Sequence, residues 1–479
     1  MKSEEFNSPD YLREKEKRKK KKGKRENQNS KIQHRLKADN STFKIQKSTF
    51  LQRGWGFKFQ NSMHIRKICD FIIATLFIVV GVSCSNGDSP DGPDMPVTPV
   101  GQTVFMFFPW SNSLLSDFRR TVEDMQTVVD QRSMKDERIM VFMATSEREA
   151  VLFELKKQNG RCLTDTLRRY SDRPFTSRQW LTSLFSEVMT LAPASRYGMV
   201  VGCHGLAWVP VQGQRNARKR LCSQERIDEE DNLYKKERID KEGDDLMHFE
   251  VQGPVTTRFI GGTYPETQIE TTDLADAMAD AGLHTEYILF DACYMSSVEV
   301  AYELKDVTHY LIASPTEVLS YGFPYITMGK HLLGTPNYKG IVDSFISFYS
   351  SYNLPYGTVA VTDCTQLDAL AAIAQQINAA AAEQLVPNGV QIMDGYSPTL
   401  FYDLGHLMSL KDAGTVLTAA FAEQLDKTVP YKGHTGQYFT TLKDAPVDIK
   451  HYSGLNTSQG SLYHMADRLS ETAWYKATN

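Results

Sequence analysis

Two side chains capable of covalent chemistry stand just past apolar runs. His204 follows Tyr197-Gly198-Met199-Val200-Val201, and Cys293 follows Tyr287-Ile288-Leu289-Phe290. A thiolate attacks carbonyl carbon, and a nearby imidazole takes the thiol's proton and returns it to a departing amine. Singly, neither residue is informative, because a cysteine after a strand is most often an inert small hydrophobe. As a pair at neighbouring strand ends they would face one substrate across a short gap. His406, His434, His451 and His464 lack metal-ligand spacing. His-Glu-x-x-His, Cys-x-x-Cys, a Gly-rich phosphate loop and a Gly-x-Ser-x-Gly elbow are all missing from the sequence. No motif calls for a metal or a cofactor.

Bringing the pair together requires a sheet. Thr103 to Phe108, Arg138 to Ala144, Tyr197 to Val201, Tyr287 to Phe290, Tyr310 to Ala313 and Thr358 to Thr362 read as short strands, several apolar enough to be buried on both faces. Between them, Leu114 to Val129 and Thr176 to Leu191 have helical periodicity. Leu274, Ala277, Met278 and Ala281 mark another helix, capped by Thr271 or Thr272 and stopped at Gly282. A further helix opens at Ser296 or Ser297 and runs through Leu304. Alternating strands and helices predict an α/β fold with a mostly parallel sheet and helices on both faces. In such sheets ligands sit at the carboxyl ends of the strands, where His204 and Cys293 lie. Residues 366–479 are richer in alanine and helical periodicity, which predicts a smaller, mainly helical C-terminal domain.

The flanking residues sharpen the reading. Val201-Gly202-Cys203-His204-Gly205-Leu206-Ala207-Trp208 and Ile288-Leu289-Phe290-Asp291-Ala292-Cys293-Tyr294-Met295 resemble the two signatures of the clostripain-like cysteine peptidases. The helix after the second reads Val298-Glu299-Val300-Ala301-Tyr302-Glu303-Leu304, also similar to the family. So do Ala313-Ser314-Pro315-Thr316-Glu317 and Tyr321-Gly322-Phe323-Pro324-Tyr325, with a looser echo at Phe401-Tyr402-Asp403-Leu404-Gly405. The sequence departs from the family at Ala207, where a second Gly is usual, at Tyr294 for Leu and at Ser296 for Gly.

The resemblance covers roughly residues 103–365 and implies a caspase-like α/β/α sandwich at 102–365. It implies catalysis by His204 and Cys293, with an oxyanion held by the backbone N–H groups of Gly205 and Cys293 and no obligatory third residue. The thiolate is favoured next to a histidine and before a helix, the position that Cys293 takes in this reading. Asp291 would pair with the cation of a substrate cleaved after Arg or Lys; its bland alternative is a helix cap. Ser314, Thr316 and Glu317 either line the pocket or form the loop. Trp208 either walls the site or packs, and Cys203 reads as a structural thiol. Calcium dependence occurs in parts of the family, though no loop here carries a calcium-binding pattern.

Of 479 residues, 41% are apolar and 23% charged, ordinary for a chain with a sizeable core. The net charge of −4 combines a basic head of +11 over residues 1–62 with an acidic remainder of −15. That remainder argues against nucleic acid as a partner. The head, rich in Lys, Glu, Asn and Ser, reads as a disordered leader ahead of a second start at Met63. Residues 63–83 then read as a signal peptide, with Arg66-Lys67 before an apolar run too short to span a bilayer. Gly81-Val82-Ser83-Cys84 resembles a lipobox, which implies lipidation of Cys84. Residues 84–101 make a tether, placing the protein at the membrane of the bacterial cell envelope on its periplasmic or surface face.

Residues 212–250 hold nine cations and eleven anions and read as an exposed insertion within the peptidase domain. Their head, with Arg215, Arg218, Lys219 and Arg220, is a cluster of basic peptide bonds. An enzyme cutting after Arg or Lys could process itself there, as family members are processed in a comparable region; the bland alternative is a solvated loop. Of the seven cysteines, Cys69 goes with the signal and Cys84 with lipid. The five that remain leave at least one free thiol in an exported protein. Two rival functions stay open: a non-catalytic caspase-like lipoprotein that binds peptide or glycan, and an acyl transferase using the same thiolate.

Overall fold

Strand β1 (Gln102–Phe108) is buried along its whole length and apolar from Val104 onward. Its alternate side chains feed two separate cores. Val104, Met106 and Phe108 point to one face of the sheet, and Phe105 and Phe107 to the other. This is what a parallel strand covered on both faces requires. The computed structural model describes residues 99–110, 114–146, 148–171, 175–209, 260–261, 267–381, 386–397, 399–459 and 466–479. The basic leader, the signal-like run, Cys84 with most of the tether, and the insertion with Arg215, Arg218, Lys219 and Arg220 lie outside the described residues.

The main sheet comprises β1, β2 (Glu137–Ala144), β3 (Ala150–Gln158), β4 (Arg161–Tyr170), β5 (Tyr197–Gly202), β6 (Thr285–Asp291), β7 (Thr308–Ala313), β8 (Thr358–Asp363) and β9 (Tyr431–His434). Their order across it is β9-β8-β7-β6-β5-β1-β2-β3-β4. The five central strands, β7 to β2, are parallel, and two antiparallel strands extend each edge. The β3–β4 hairpin turns through Asn159 and Gly160, both at positive φ, as a tight hairpin turn demands.

On one face lie α1 (Leu115–Gln131), which buries Phe118, Val122, Met125 and Val129, and the later helix Tyr338–Ser351. On the other lie α2 (Arg178–Leu191), α3 (Thr271–Ala281) and α4 (Val298–Leu304). Ser177 caps α2, its hydroxyl accepting from Trp180 N at 3.3 Å. Helix α3 begins at Thr271 itself, with Glu270 in the cap position and no side-chain capping bond. It ends at Gly282 in the left-handed conformation, where a residue without Cβ is favoured. The Tyr338–Ser351 helix is α5.

Beyond Leu367 come α6 (Leu367–Ala380), α7 (Leu404–Ser409), α8 (Thr415–Thr428) and α9 (Ala473–Thr478). This part also contributes β9 to the sheet edge and a separate hairpin of Gln437–Thr440 with Ala445–Asp448. The described residues all belong to one compact unit, Asp91–Asn479. None of its described helices is long and apolar enough to cross a membrane.

Candidate active site

Strands β5 and β6 run side by side, with Gly202 opposite Asp291 at their carboxyl ends. Two residues further on, the chains carry His204 and Cys293. The pairing continues one step beyond the strands, where Cys203 N donates to Asp291 O at 3.4 Å. Cys203 itself is buried in the core below. His204 and Gly205 then pair with Ile260 and Gly261 in a short antiparallel ribbon. Gly205 is pressed against the loop that carries Cys293. A Cβ at this position would stand 2.5 Å from the Cys293 carbonyl oxygen and 3.1 Å from the Met295 side chain. The His204 ring is only 6% exposed, and the edge of Trp110, just past β1, meets it at 6.0 Å between centroids.

The Cys293 loop is held by polar contacts drawn from distant parts of the chain. Tyr294, at φ +62°, is strained for a non-glycine residue. Its N–H donates to Thr316 O at 2.9 Å, and Ser296 N donates to Ser314 O at 3.0 Å. Asn456 Nδ2 donates to the carbonyls of Tyr294 (3.2 Å) and Pro315 (2.8 Å). Val318 N points at the Cys293 sulfur from 3.3 Å. The Tyr294 ring stacks on Phe401 and its hydroxyl donates to Glu317 Oε1 at 2.9 Å. The other oxygen of Glu317 accepts from both Thr441 N and Thr441 Oγ1.

Ser314 and Thr316 are fully buried and share hydroxyl contacts with Thr358 at 2.7 and 2.8 Å. They brace the loop from below instead of lining an open pocket. Glu299 does similar work from α4. It accepts from Ser297, Thr457 Oγ1 (2.7 Å) and Ser458 N (3.0 Å).

Asp291 is buried below the rim. Phe323 N donates to it at 3.3 Å, and Gly322, at φ +73°, lies so close that a Cβ there would sit 2.7 Å from both carboxyl oxygens. Only glycine suits that approach. Burial raises the Asp291 carboxyl to about 6, opposed by the Phe323 N–H, the Tyr325 hydroxyl and Arg120. Arg120, from α1, binds Asp117, lies over the Tyr321 ring and donates to Tyr321 O at 2.8 Å, fixing the strap that covers Asp291. Asp291 caps no helix, since α4 starts seven residues later with Ser297 before it.

Burial favours the neutral form of both groups. Burial pulls the His204 imidazole down to about 4. The Cys293 thiol is pushed up to about 12, first by burial and then by the carboxylates of Glu317 and Asp291. Sequence reasoning expects the reverse, an activated thiolate directly before a helix. The physical reason for the difference is distance and charge. Helix α4 begins at Val298, so its N-terminus does not abut the sulfur, and the nearest charges are negative.

Trp208 is buried, with Nε1 donating to Ser458 Oγ at 2.8 Å, so it packs and anchors the C-terminal segment. Cys162, Cys293 and Cys364 form no disulfide. No group of three or more His, Cys, Asp or Glu side chains among the described residues is placed to hold a metal. Sequence reading misses Tyr396. A tight turn built on buried Asp394, which accepts from Tyr396 N, Leu400 N and Phe401 N, presents it. Its hydroxyl is buried without a partner among the described residues, within electrostatic reach of Glu317 and Cys293. The Asp-Gly-Tyr-Ser-Pro run at 394–398 is a turn signal that would have located the loop.

The profile of the clostripain family, peptidase C11, matches residues 255–457, a span that holds Cys293 but not His204. No curated protein matches the chain. A secreted C11 cysteine protease of Bacteroides thetaiotaomicron, "iotapain", is 40% identical, over 80% of this chain and 100% of that one, with a TM-score of 0.69. An inactive zymogen C11 protease of Parabacteroides distasonis shares the fold at 24% identity and a TM-score of 0.63, over 80% of this chain and 99% of its own. So does a secreted C11 cysteine protease of B. thetaiotaomicron in complex with an irreversible peptide inhibitor, at 20% identity and a TM-score of 0.63, over 79% of this chain and 99% of that one. The identity and full-length coverage shared with iotapain settle the assignment: this chain belongs to the clostripain family and is a cysteine peptidase with a caspase-like α/β fold.

Proposed function

We propose that the protein is an exported, lipid-anchored endopeptidase that cleaves after Arg or Lys, using Cys293 as nucleophile and His204 as its acid–base partner. The observation that carries this reading is the register of β5 on β6, which brings an imidazole and a thiol to adjacent strand ends with Asp291 just below them. His204 takes the thiol proton, and the sulfur bonds to the scissile carbonyl carbon as the C=O electrons move to oxygen. The N–H groups of Gly205 and Cys293 hold that oxyanion. Collapse breaks the C–N bond, and His204 returns the proton to the leaving amine. Water then hydrolyses the thioester. Asp291 pairs with the substrate's cation once the strap at Tyr321-Gly322 gives way.

Both reacting groups are neutral at physiological pH in the resting structure, which supports a latent enzyme opened by cutting its own insertion at Arg215, Arg218, Lys219 or Arg220. Export is supported by the signal-like run before Cys84 and by the secreted relatives. Hydrolysis of fluorogenic Arg and Lys peptides tests the assignment. Cys293→Ala and His204→Ala should each abolish it, and Asp291→Ala should remove the preference for a basic residue while leaving the fold intact. Wild type should carry a nick in the insertion that Cys293→Ala lacks. Unchanged turnover in either of the first two variants refutes the dyad, and an intact wild-type chain refutes self-processing.

A further inference from the structure

Lys411, just past α7, is 7% exposed, and no carboxylate among the described residues lies within ion-pair distance of its Nζ. The ammonium donates to one acceptor, Asn378 Oδ1 on α6, which is itself fixed because Asn378 Nδ2 donates to Thr478 O at 3.0 Å. Two of its three N–H donors have no acceptor among the described residues. A buried cation in that condition needs a counter-charge.

Beside it opens a cavity walled by Glu299, Asn378, Lys411, Ser458, Trp474 and Thr478. Glu299 also lines the cavity and accepts from Ser297, Thr457 and Ser458, but it forms no ion pair with Lys411. The cavity's volume of about 30 Å³ has room for about two or three water-sized groups. Burial alone pulls the Lys411 ammonium down to about 8, with no carboxylate acting against it.

We propose that this cavity binds a compact monocarboxylate, of formate or acetate size, as the counter-ion of Lys411. The cavity wall is shared with the nucleophile loop. Glu299 sits at the start of α4 and binds Thr457 and Ser458, while the adjoining Asn456 holds the Tyr294 carbonyl. Occupancy is therefore placed to stiffen the loop from behind.

The test is thermal unfolding of the full chain at pH 7, titrated with acetate, formate, chloride or phosphate at constant ionic strength, balanced with a bulky sulfonate. Acetate and formate should raise the wild-type midpoint by about 2 °C near saturation. Lys411→Met should lose the response and, in carboxylate-free buffer, melt no lower than wild type. Asn378→Asp supplies the carboxylate internally, so it should melt higher without ligand and gain nothing from acetate. An equal acetate response in wild type and Lys411→Met overturns the site. A flat wild type, or a response to chloride or phosphate alone, overturns the ligand class. Should Lys411→Met fail to fold, a full acetate response in Asn378→Asp is the refuting result.

Discussion

The two strand ends that meet at the site are built by different physics. The His204 side is set by contact: Gly205 packs against the Cys293 carbonyl, Trp110 meets the imidazole ring, and the short ribbon with Ile260 and Gly261 completes it. The Cys293 side is set by tethers. Asn456, Thr316, Ser314, Glu317 and Thr441 hold it through hydrogen bonds that reach as far as 162 positions along the chain. Contact tolerates no added atoms. Tethers tolerate small shifts but fail when one distant partner is lost. The contact side should therefore respond to added volume, and the tethered side to deletions far from the chemistry.

Gly205→Ala probes the contact side and should have the largest effect. Its Cβ would enter 2.5 Å from a backbone oxygen of the nucleophile loop, with no flexible side chain to give way. In the proposed mechanism, displacing the Gly205 N–H and the sulfur together should lower kcat/KM by about 10²–10³-fold, measured on an Arg or Lys peptide. Near-wild-type turnover would show that the two ends are not in rigid contact.

Asn456→Ala probes the tethered side. It leaves the buried carbonyls of Tyr294 and Pro315 without their donor. The loss should be about 2–4 kcal/mol in unfolding free energy, read by denaturant titration, with a lower kcat at unchanged fold. A loss below about 0.5 kcal/mol would mean the loop is held by packing after all, and the contrast between the two sides would disappear.

Asp291→Asn sharpens the contrast by pH. The carboxyl is raised to about 6 in the folded chain, from an ordinary 3.8. The folded protein thus keeps a proton that the unfolded chain has released between those values, so stability falls as pH rises through that window. Below pH ~4 both states are protonated and the penalty is absent. The Asn variant never ionises, so at pH 7 it should be more stable than wild type by about 2–3 kcal/mol, and the two should converge below pH ~4. Parallel curves from pH 3 to 8 would count against a strained, buried carboxylate under Gly322.

What could be read in the sequence follows the same division. The placement of His204, Cys293 and Asp291 at one rim is legible because each stands at or just past the end of an apolar run, and the parallel register then brings those ends together. The central strands and α1 to α4 came within a few residues of their observed bounds because buried strands and amphipathic helices leave a periodic trace. The β3–β4 hairpin went unread. Its second strand is mostly exposed and polar, although Asn159-Gly160 marks the turn. The tethers were illegible for a deeper reason. Asn456, Thr441 and Tyr396 are single polar residues in loops, and nothing local distinguishes a polar residue that folds back onto a nucleophile from one that meets water. The resting state of the thiol was also hidden, since the carboxylates that raise it reach the sulfur only through the fold.

The smallest predicted effect separates the two sides at a single backbone feature. Ala207, after His204, and Tyr294, after Cys293, both occupy the left-handed region, at φ +51° and +62°. That conformation costs a residue with a Cβ about 1–2 kcal/mol. At Ala207 the side chain is one methyl group, so Gly would relieve the strain and forfeit little packing. Ala207→Gly should gain about 0.5–1 kcal/mol, net of the extra freedom of the unfolded chain, and raise the unfolding midpoint by about 1–2 °C. At Tyr294 the same change forfeits the stack on Phe401 and the hydrogen bond to Glu317, so Tyr294→Gly should destabilise despite easing an equally strained backbone. Opposite signs for the same backbone relief would show that strain after the histidine is incidental, whereas strain after the cysteine is held in place by its side chain. Two destabilising results would mean that the Ala207 methyl packs as tightly as the tyrosine, and contact would then govern both ends of the rim.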